Sequence, residues 1–375
     1  MALSKYKLGE LIELIDVRNS DMRYGFEDVR GVNNLKQLMP TRADLSTRDL
    51  SKFQIVEPHC FVFNHRTSRN GEKFSIAYND TDKPVICTED YVVFRIKADC
   101  ETIILAYFLY IYFNRSEFDR YVITNSWGSS TEFYNWEDIC DIDLDLPPLA
   151  VQQKYVNIYK SMLENQRCYE TALDDLKLVC DAYIEDLRRK IKCEKIAPYI
   201  RECDEKNLDG NITLAQGVTV DMVFADPKRI ADDTESTRIV RTGQFAYNKV
   251  MKSNGTKLPI ALREGEDCIV SGSYQVFEVC RTDKLMPEYL MMWLSRSETQ
   301  RHAGFDSWGS TRDIFSFDLM CDVQIPIPEI KIQRSIADIY KVYVERKRIN
   351  EQLKEQIKDI CPVLIRGAVM EGKKA

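Results

Sequence analysis

Two polar loops in this sequence carry side chains that could contact a nucleic acid. They run from Asn64 to Lys73 and from Asn248 to Lys257. Arg can pair with a guanine edge and Asn with an adenine edge, whereas Lys more often contacts phosphates. Many surface loops are equally polar, so the binding hypothesis depends on finding two of them. The candidate DNA-binding residues are Asn64, Arg66, Arg69, Asn70, Lys73, Asn248, Lys249, Lys252, Asn254 and Lys257.

The charge of the chain is distributed unevenly. Its formal net charge is −7, which argues against a generally basic surface. Residues 18–73 nevertheless contain ten Lys or Arg against seven Asp or Glu, and residues 228–263 contain eight against three. A local excess of cations is what phosphate contacts concentrated on one face require.

Motifs for enzymatic chemistry are missing from the sequence. Adenine methylation needs an Asn/Asp-Pro-Pro-aromatic loop, but leucines flank Pro147–Pro148. The phosphate-cradling patterns G-x-G-x-x-G and G-x-x-x-x-G-K-[ST] do not occur. His59, Cys60 and His65 lack a fourth ligand at zinc spacing, so ordinary strand and loop positions are the favoured interpretation. We therefore expect no catalytic residue, no metal and no cofactor.

Composition places the protein in the cytosol. The longest apolar run, Thr102–Phe113, is shorter than the roughly 20 residues that span a bilayer. Residues 1–10 have no apolar signal core. No two of the 12 cysteines form a C-x-x-C pair, which is typical of scattered, reduced thiols. We expect a soluble protein without membrane contact.

The chain contains two copies of one module. Trp127-Gly-Ser recurs as Trp308-Gly-Ser, at an offset of 181 residues. An ordered series of further matches supports the repeat. These matches are Arg115–Glu117 with Arg296–Glu298, Cys140–Asp141 with Cys321–Asp322, Gln152 with Gln333, Ile158–Lys160 with Ile339–Lys341 and, at an offset near 184, Phe61–Asn64 with Phe245–Asn248. We expect Trp127 and Trp308 to pack in the domain cores near the long helices, with stacking on bases the less favoured alternative.

The repeated module predicts an α+β fold. Short β-branched and aromatic runs bounded by turn residues, such as Tyr91–Ile96 and Tyr274–Val279, indicate strands. The other predicted elements are short buried helices at Thr102–Asn114 and Pro287–Ser295, and last strands at Ile142–Leu146 and Val323–Ile327. We expect two similar globular domains, each with a mixed, curved or barrel-like sheet and short helices.

Each module is followed by a predicted long helix. Residues 149–196 contain no Pro or Gly, and their apolar residues recur at steps of three and four, with Gln166 as a polar exception. The second helix starts at Glu329, and Pro362 should kink it near its end. The first seam comprises Tyr155, Tyr159, Met162, Tyr169, Leu173, Leu176, Cys180, Tyr183 and Leu187, and the second Ile336, Tyr340, Tyr343, Leu353, Ile357, Ile360 and Leu364. If the seams pack together, connectivity makes them an antiparallel coiled coil that holds two heads apart with pseudo-two-fold symmetry.

The residues carry a family resemblance. Trp127-Gly-Ser-Ser-Thr-Glu-Phe, followed by Ile142-Asp-Leu-Asp-Leu-Pro-Pro-Leu, resembles the end of a target-recognition domain and the start of a spacer helix. The family is the specificity subunit of type I restriction–modification systems. The second copy is similar, although Glu329 replaces its second proline. The resemblance divides the chain into a first target-recognition domain (1–148), a spacer helix (149–197), a second recognition domain (198–328) and a second spacer helix (329–375).

The resemblance implies a subunit without catalysis of its own. Each domain would recognise one half of a split sequence in double-stranded DNA, and the helices would set the spacing and dock two methyltransferase subunits. Restriction and translocation subunits would complete an assembly that methylates adenine or cuts DNA. Two alternatives stay open: the recognition subunit of another multisubunit restriction enzyme, and a coiled-coil adaptor that bridges proteins without binding DNA. The positive charge of the loops argues against the adaptor.

Overall fold

The protein divides into two units. The structure is a computed structural model that describes residues 3–33, 35–41, 44–45, 47–67, 73–128, 132–227, 237–250, 257–307 and 313–374. Unit 1 comprises Met1–Tyr169 with Ile349–Ala375, and unit 2 comprises Glu170–Arg348. Unit 1 is therefore built from two stretches that are distant in sequence.

The head of unit 1 combines short strands with short helices. Its strands are β1 (Ser4–Lys7), β2 (Ile12–Ile15), β3 (Arg30–Val32), β4 (Leu38–Pro40), β5 (Gln54–Val56), β6 (Phe61–Asn64), β7 (Ile76–Tyr78), β8 (Val85–Cys87), β9 (Tyr91–Ile96) and β10 (Asp143–Leu146). Its helices are α1 (Leu8–Leu11), α2 (Ala106–Phe113), α3 (Ser116–Thr124) and α4 (Trp136–Cys140). The long helix α5 (Leu149–Lys190) begins in unit 1 and ends in unit 2.

The head of unit 2 has the same kinds of element. Its strands are β11 (Cys193–Lys195), β12 (Ile200–Cys203), β13 (Gly217–Val218), β14 (Phe224–Ala225), β15 (Arg238–Val240), β16 (Gln244–Asn248), β17 (Ile260–Leu262), β18 (Cys268–Val270), β19 (Tyr274–Val279) and β20 (Gln324–Pro326). Its helices are α6 (Pro287–Ser295), α7 (Ser297–Asp306) and α8 (Phe317–Cys321), and α9 (Ile330–Lys374) returns the chain to unit 1.

Strand pairing confirms the internal repeat. Unit 1 has a four-stranded sheet in the order β2-β9-β6-β7, and unit 2 has its counterpart in the order β12-β19-β16-β17. The two-stranded pairs β1-β10, β3-β4 and β5-β8 are matched by β11-β20, β13-β14 and β15-β18. All of these strand pairings are antiparallel. We expected a mixed sheet, but the parallel pairings in the described residues are two single bridges, Val29–Ile86 and Ala215–Ile269.

The two cores use the same aromatic pair. Phe61 on β6 stacks on Phe94 of β9 with ring centroids 5.0 Å apart, and Phe245 stacks on Phe277 at 4.7 Å. These residues are directly opposite each other in the paired strands, where aromatic side chains stabilise a sheet beyond the area that they bury. Each sheet therefore has one firmly packed face toward the core.

A buried glutamine joins each head to its long helix. The Gln152 side chain accepts a hydrogen bond from Leu105 N (3.0 Å) and donates to the carbonyls of Ile103 and Pro147, both at 2.8 Å. Gln333 makes the same three contacts in unit 2, to Met286 N, Lys284 O and Pro328 O. Both side chains are fully buried, so the two modules share a buried set of hydrogen bonds as well as an apolar pattern.

The long helices are confirmed, with a shorter first helix than expected. α5 ends at Lys190 and not at Ile196, because Cys193–Lys195 leaves the helix to pair with β20. Three basic residues at the end of α5 favour termination there through the helix dipole. α9 continues through Pro362 to Lys374, so the proline does not end it.

Within each unit the two helices pack side by side and run antiparallel. In unit 1, Lys154 Nζ lies 2.8 Å from Glu371 Oε2, and Gln166 Nε2 donates to Asn350 Oδ1 at 3.0 Å. In unit 2, Ile184, Leu187 and Ile336 share one core. The predicted seam is wrong at Tyr183, which is 46% exposed, because the neighbouring Ile184 is buried in its place. A straight helix drifts relative to a heptad, and the apolar stripe moves with it.

Candidate DNA interface

Basic loop 1, which we define as residues 64–73, starts where β6 leaves the sheet. Asn64 Oδ1 accepts a hydrogen bond from Arg66 N at 3.0 Å, and this Asx turn directs the chain away from the strand. Lys73 is partly exposed at the far end of the loop, just before β7. Arg69 and Asn70 lie outside the described residues.

The repeated Trp-Gly-Ser segment lies beside basic loop 1. We define the tryptophan loop as residues 126–133. Thr67 N donates to Glu132 O at 3.0 Å, and Tyr134 N donates to His65 O at 2.8 Å. The rings of His65 and Phe133 also contact each other, with centroids 5.4 Å apart. The tryptophan loop therefore supports the start of basic loop 1.

A buried ion pair holds the other end of basic loop 1. Asp119 on α3 accepts a hydrogen bond from Phe74 N (3.0 Å) and lies 2.7 Å from Lys36 Nζ. Lys36 is 4% exposed and also donates to Phe113 O. Burial lowers the pKa of the Lys36 ammonium, an effect that the neighbouring Asp119 opposes. Breaking such a pair by removing one partner leaves an uncompensated buried charge, which makes this anchor costly to lose.

The charged groups of basic loop 1 differ in their availability. Arg66 forms an ion pair with Asp90 at 3.1 Å, but both side chains are more than a third exposed. Surface pairs of this kind contribute little, about 0–1 kcal/mol, so the guanidinium can exchange its partner for a phosphate or a base. Burial lowers the pKa of His65, which keeps its ring neutral near pH 7. The cationic character of this loop start therefore comes from Arg66.

Basic loop 2, defined as residues 248–257, starts in the same way. Asn248 Oδ1 accepts from Val250 N at 3.0 Å, and Phe315 N donates to Lys249 O at 2.9 Å. Lys249 is partly exposed and Lys257 is exposed, whereas Lys252 and Asn254 lie outside the described residues. The described candidates at the two loop starts, Asn64 with Arg66 and Asn248 with Lys249, thus lie at equivalent strand ends of the two sheets.

Counting charges along the sequence overstates the positive excess of unit 2. Arg241 forms ion pairs with Glu205 and with Asp267, the latter at 2.7 Å, and Arg238 lies 3.2 Å from Asp204. These arginines are thus already engaged with carboxylates from elsewhere in the same unit. Lys249 and Lys257 remain the described cations at the loop itself.

The structure contradicts the expected burial of Trp127. Its side chain is 76% exposed at the surface of the tryptophan loop, although we expected it to pack in the core near the helices. The core position next to it is filled by Tyr134, which is fully buried and packs against Phe74. Trp308 lies outside the described residues, so its predicted burial stays untested.

Sequence reasoning missed the residues that support the loops. Lys36, Asp90 and Asp119 are ordinary charged residues in the sequence, and their roles come from partners 24 to 83 positions away. The repeat offered one usable signal, since both copies of the module contain the same polar loop and the same Trp-Gly-Ser segment.

The metal-ligating side chains singled out in the sequence have other surroundings in the structure. Within the described ranges, no group of three or more His, Cys, Asp or Glu side chains is arranged to hold a metal ion. His59 instead contacts the hydroxyl of Tyr78 at 3.0 Å, and Cys60 is buried. No helix in the described part of the chain is long and apolar enough to cross a membrane.

Comparison with known proteins agrees with this geometry. Residues 202–359 match the family of the type I restriction modification DNA specificity domain. The specificity subunit of the type I restriction enzyme HindI from Haemophilus influenzae is 22% identical over 134 residues, which cover 35% of this chain and 29% of that subunit. The crystal structure of a type I restriction–modification S subunit from M. genitalium superposes with a TM-score of 0.63 at 10% identity, covering 98% of this chain and 96% of that one.

The family match and the likeness of fold point to the same kind of protein, a type I specificity subunit. The matched residues 202–359 include most of the second module and the first part of α9, and over almost the whole chain the fold is similar to that of the M. genitalium S subunit. The resemblance inferred from the sequence is confirmed. The matched part of this chain spans less than a third of the HindI subunit, so the activity and partners of that protein are not transferred by the match alone.

Proposed function

We propose that this protein is the non-catalytic DNA-recognition subunit of a type I restriction–modification complex. Residues 1–148 and 198–328 are its target-recognition domains, each of which recognises one half of a bipartite site in double-stranded DNA. The observation that carries the proposal is the pair of basic loops, which start at equivalent strand ends and are supported in the same way.

The loop residues divide into two roles within this proposal. The Asn64 and Asn248 oxygens are engaged in the turns that start the loops, so these side chains shape the loops. Arg66, Lys249 and Lys257 offer cations for phosphates or base edges. Lys73 and the candidates outside the described residues (Arg69, Asn70, Lys252 and Asn254) complete the proposed contact set.

The two long helices, α5 (Leu149–Lys190) and α9 (Ile330–Lys374), set the spacing between half-sites and dock two methyltransferase subunits, to which restriction subunits are added. Support comes from their length of 42 and 45 residues and from the antiparallel packing within each unit. Exposed apolar side chains on the helices, among them Leu178 and Val363, offer contacts to partner subunits. The working compartment of such a complex is the cytoplasm.

A charge-substitution experiment tests DNA recognition by each loop. The variants are Arg66→Ala/Lys73→Ala and Lys249→Ala/Lys257→Ala, each assembled with methyltransferase subunits and titrated with target duplex over a range of salt concentrations. Each lost phosphate contact lowers the slope of log K against log salt by about 0.9. A matched control, Lys5→Ala/Lys284→Ala, removes the same charge from exposed positions outside the basic loops and the long helices and should leave the slope unchanged. Wild-type binding by both loop variants would contradict the proposal.

A length experiment tests the spacing role. Inserting four residues after Tyr169 and four after Arg348 lengthens both helices by about 6 Å. That length is close to two base pairs at roughly 3.4 Å each. Methylation profiling should then report an accepted spacer that is longer by about two base pairs with unchanged half-sites. An active variant that accepts only the original spacer length would show that the helices dock partner subunits but do not set the spacing.

The main alternative is the recognition subunit of a different multisubunit restriction enzyme, with the same heads and other catalytic partners. Exchanging residues 1–148 for the first domain of a relative changes one half-site in either case. Only the identity of the partner that supports methylation separates the two assemblies. A protein-bridging adaptor would bind partners but give no duplex binding in the salt titration.

A further inference from the structure

Trp127 is an apolar side chain whose exposure the fold does not explain. Its 76% exposure is among the highest of the large apolar side chains in the described residues, and its backbone is hydrogen-bonded to that of Phe133. Large aromatic side chains bury more apolar surface than any other type, and leaving one in water forgoes that stabilisation. Such a residue on a well-supported loop is a candidate for burial by a ligand.

The backbone around Trp127 is held in a fixed position. Trp127 N donates to Phe133 O at 3.1 Å and Phe133 N donates to Trp127 O at 2.9 Å, so the two residues form a closed antiparallel pair. The His65 ring packs on Phe133 from the neighbouring loop. Because the backbone is already ordered, binding a ligand at Trp127 costs less conformational entropy than it would on an unsupported loop, which favours a role in binding.

The surroundings of Trp127 indicate which ligand it contacts. Phe133 is bridged to Trp127 on one side and to Arg66 on the other. Adjacent extended segments lie about 4.8 Å apart, which places the Arg66 and Trp127 backbones roughly 10 Å from each other. An aromatic face and a guanidinium at this separation can engage a base and a nearby phosphate of the same strand.

We propose that Trp127 stacks on a nucleobase of the bound duplex at the edge of the first half-site, while Arg66 contacts the adjacent backbone. This inference rests on the proposed function, because it names a recognition contact of the same interface. Stacking requires a base pair to unstack from its neighbour, so the first domain distorts its half-site at that step. Every base has an aromatic face, so Trp127 contributes affinity and local DNA shape more than base identity.

Variants of Trp127 test the stacking contact. The complex with methyltransferase subunits is titrated with target duplex for wild type, Trp127→Ala, Trp127→Leu and Trp127→Phe. Loss of one stacked base weakens binding by roughly 5- to 150-fold for Ala and Leu, and Phe restores most of it. The salt slope stays at the wild-type value in all three variants, whereas Arg66→Ala lowers it by about 0.9. Because Trp127 is exposed, circular dichroism of the variants should be unchanged.

A fluorescent duplex gives an independent measurement. Target duplexes with 2-aminopurine at successive positions of the first half-site report loss of base stacking, and wild type and Trp127→Ala should differ at one step only. Wild-type affinity and fluorescence in Trp127→Ala would overturn the inference while leaving DNA recognition intact. Unchanged DNA affinity together with weaker methyltransferase binding would identify a protein contact instead and would also overturn it. Failure of the wild-type complex to bind any duplex would overturn the proposed function itself.

Discussion

The buried pair Gln166–Asn350 yields a prediction that the structure makes quantitative. Gln166 is 8% exposed and Asn350 is 2% exposed, and the two amides meet at 3.0 Å between α5 and α9 in unit 1. Replacing either residue by Leu removes the hydrogen bond between the two buried amides, which costs about 1–3 kcal/mol. Replacing both removes the two buried amides together and puts apolar side chains in contact, so Gln166→Leu/Asn350→Leu should regain most of that loss.

Hydrogen–deuterium exchange is the suitable assay, because a protein with two units need not unfold in one step. Each single variant should accelerate exchange in residues 156–169 and 349–360 by roughly 5- to 150-fold, since a factor of ten corresponds to about 1.4 kcal/mol. The double variant should exchange close to the wild-type rate. Gln153→Leu, an exposed change on the same helix, is the matched control and should have little effect. Additive losses in the double variant would refute the reasoning, because independent sites add whereas partners do not.

Three further predictions concern each unit separately. Ending the chain after Arg348 removes five core side chains from unit 1 and should abolish the protection of its amides from hydrogen exchange. Retained protection would contradict the assignment of residues 349–375 to unit 1. Gln333→Leu leaves three backbone groups without partners and should destabilise unit 2 by about 2–5 kcal/mol, measured by hydrogen exchange. Gln152→Leu should do the same to unit 1. An effect on the opposite unit would refute this prediction. Burial raises the pKa of the Cys60 thiol to about 11 and that of Cys361 to about 12. Above pH ~9 the unfolded chain therefore releases protons that the folded chain keeps. The free energy of unfolding in urea should then fall by up to about 1.4 kcal/mol per pH unit for each thiol. Cys361→Ala should lower that pH slope, and an unchanged slope would count against burial as the cause.

Features that depend on local spacing were predictable from the sequence. The boundaries of α6 match the prediction Pro287–Ser295, and β9 and β19 match the predicted strands. Periodicity and turn residues are local signals, and the internal repeat tested each prediction twice. The position of the basic loops at equivalent strand ends followed from the same alignment of the two modules.

Features that depend on distant partners were not predictable. The sequence shows a Trp in both modules, but it contains no signal that Tyr134 takes the core position while Trp127 stays exposed. It shows Gln166 as an exception in an apolar seam, but not that Asn350 is its partner 184 positions away. The end of α5 was misjudged because helix propensity continues to Ile196, whereas pairing with β20 decides where the helix stops.

The discontinuity of unit 1 has a consequence for how the protein is made. Translation delivers the head of unit 1 first, but the α9 residues that cover its core, such as Cys361 and Leu364, follow on the order of 180 residues later. At roughly 5–20 residues per second, the nascent head waits about 10–40 s with part of its apolar surface exposed. Unit 2 is continuous in sequence and can close during that interval. During that interval the head of unit 1 is more exposed to chaperones and to aggregation than unit 2, although its synthesis began earlier.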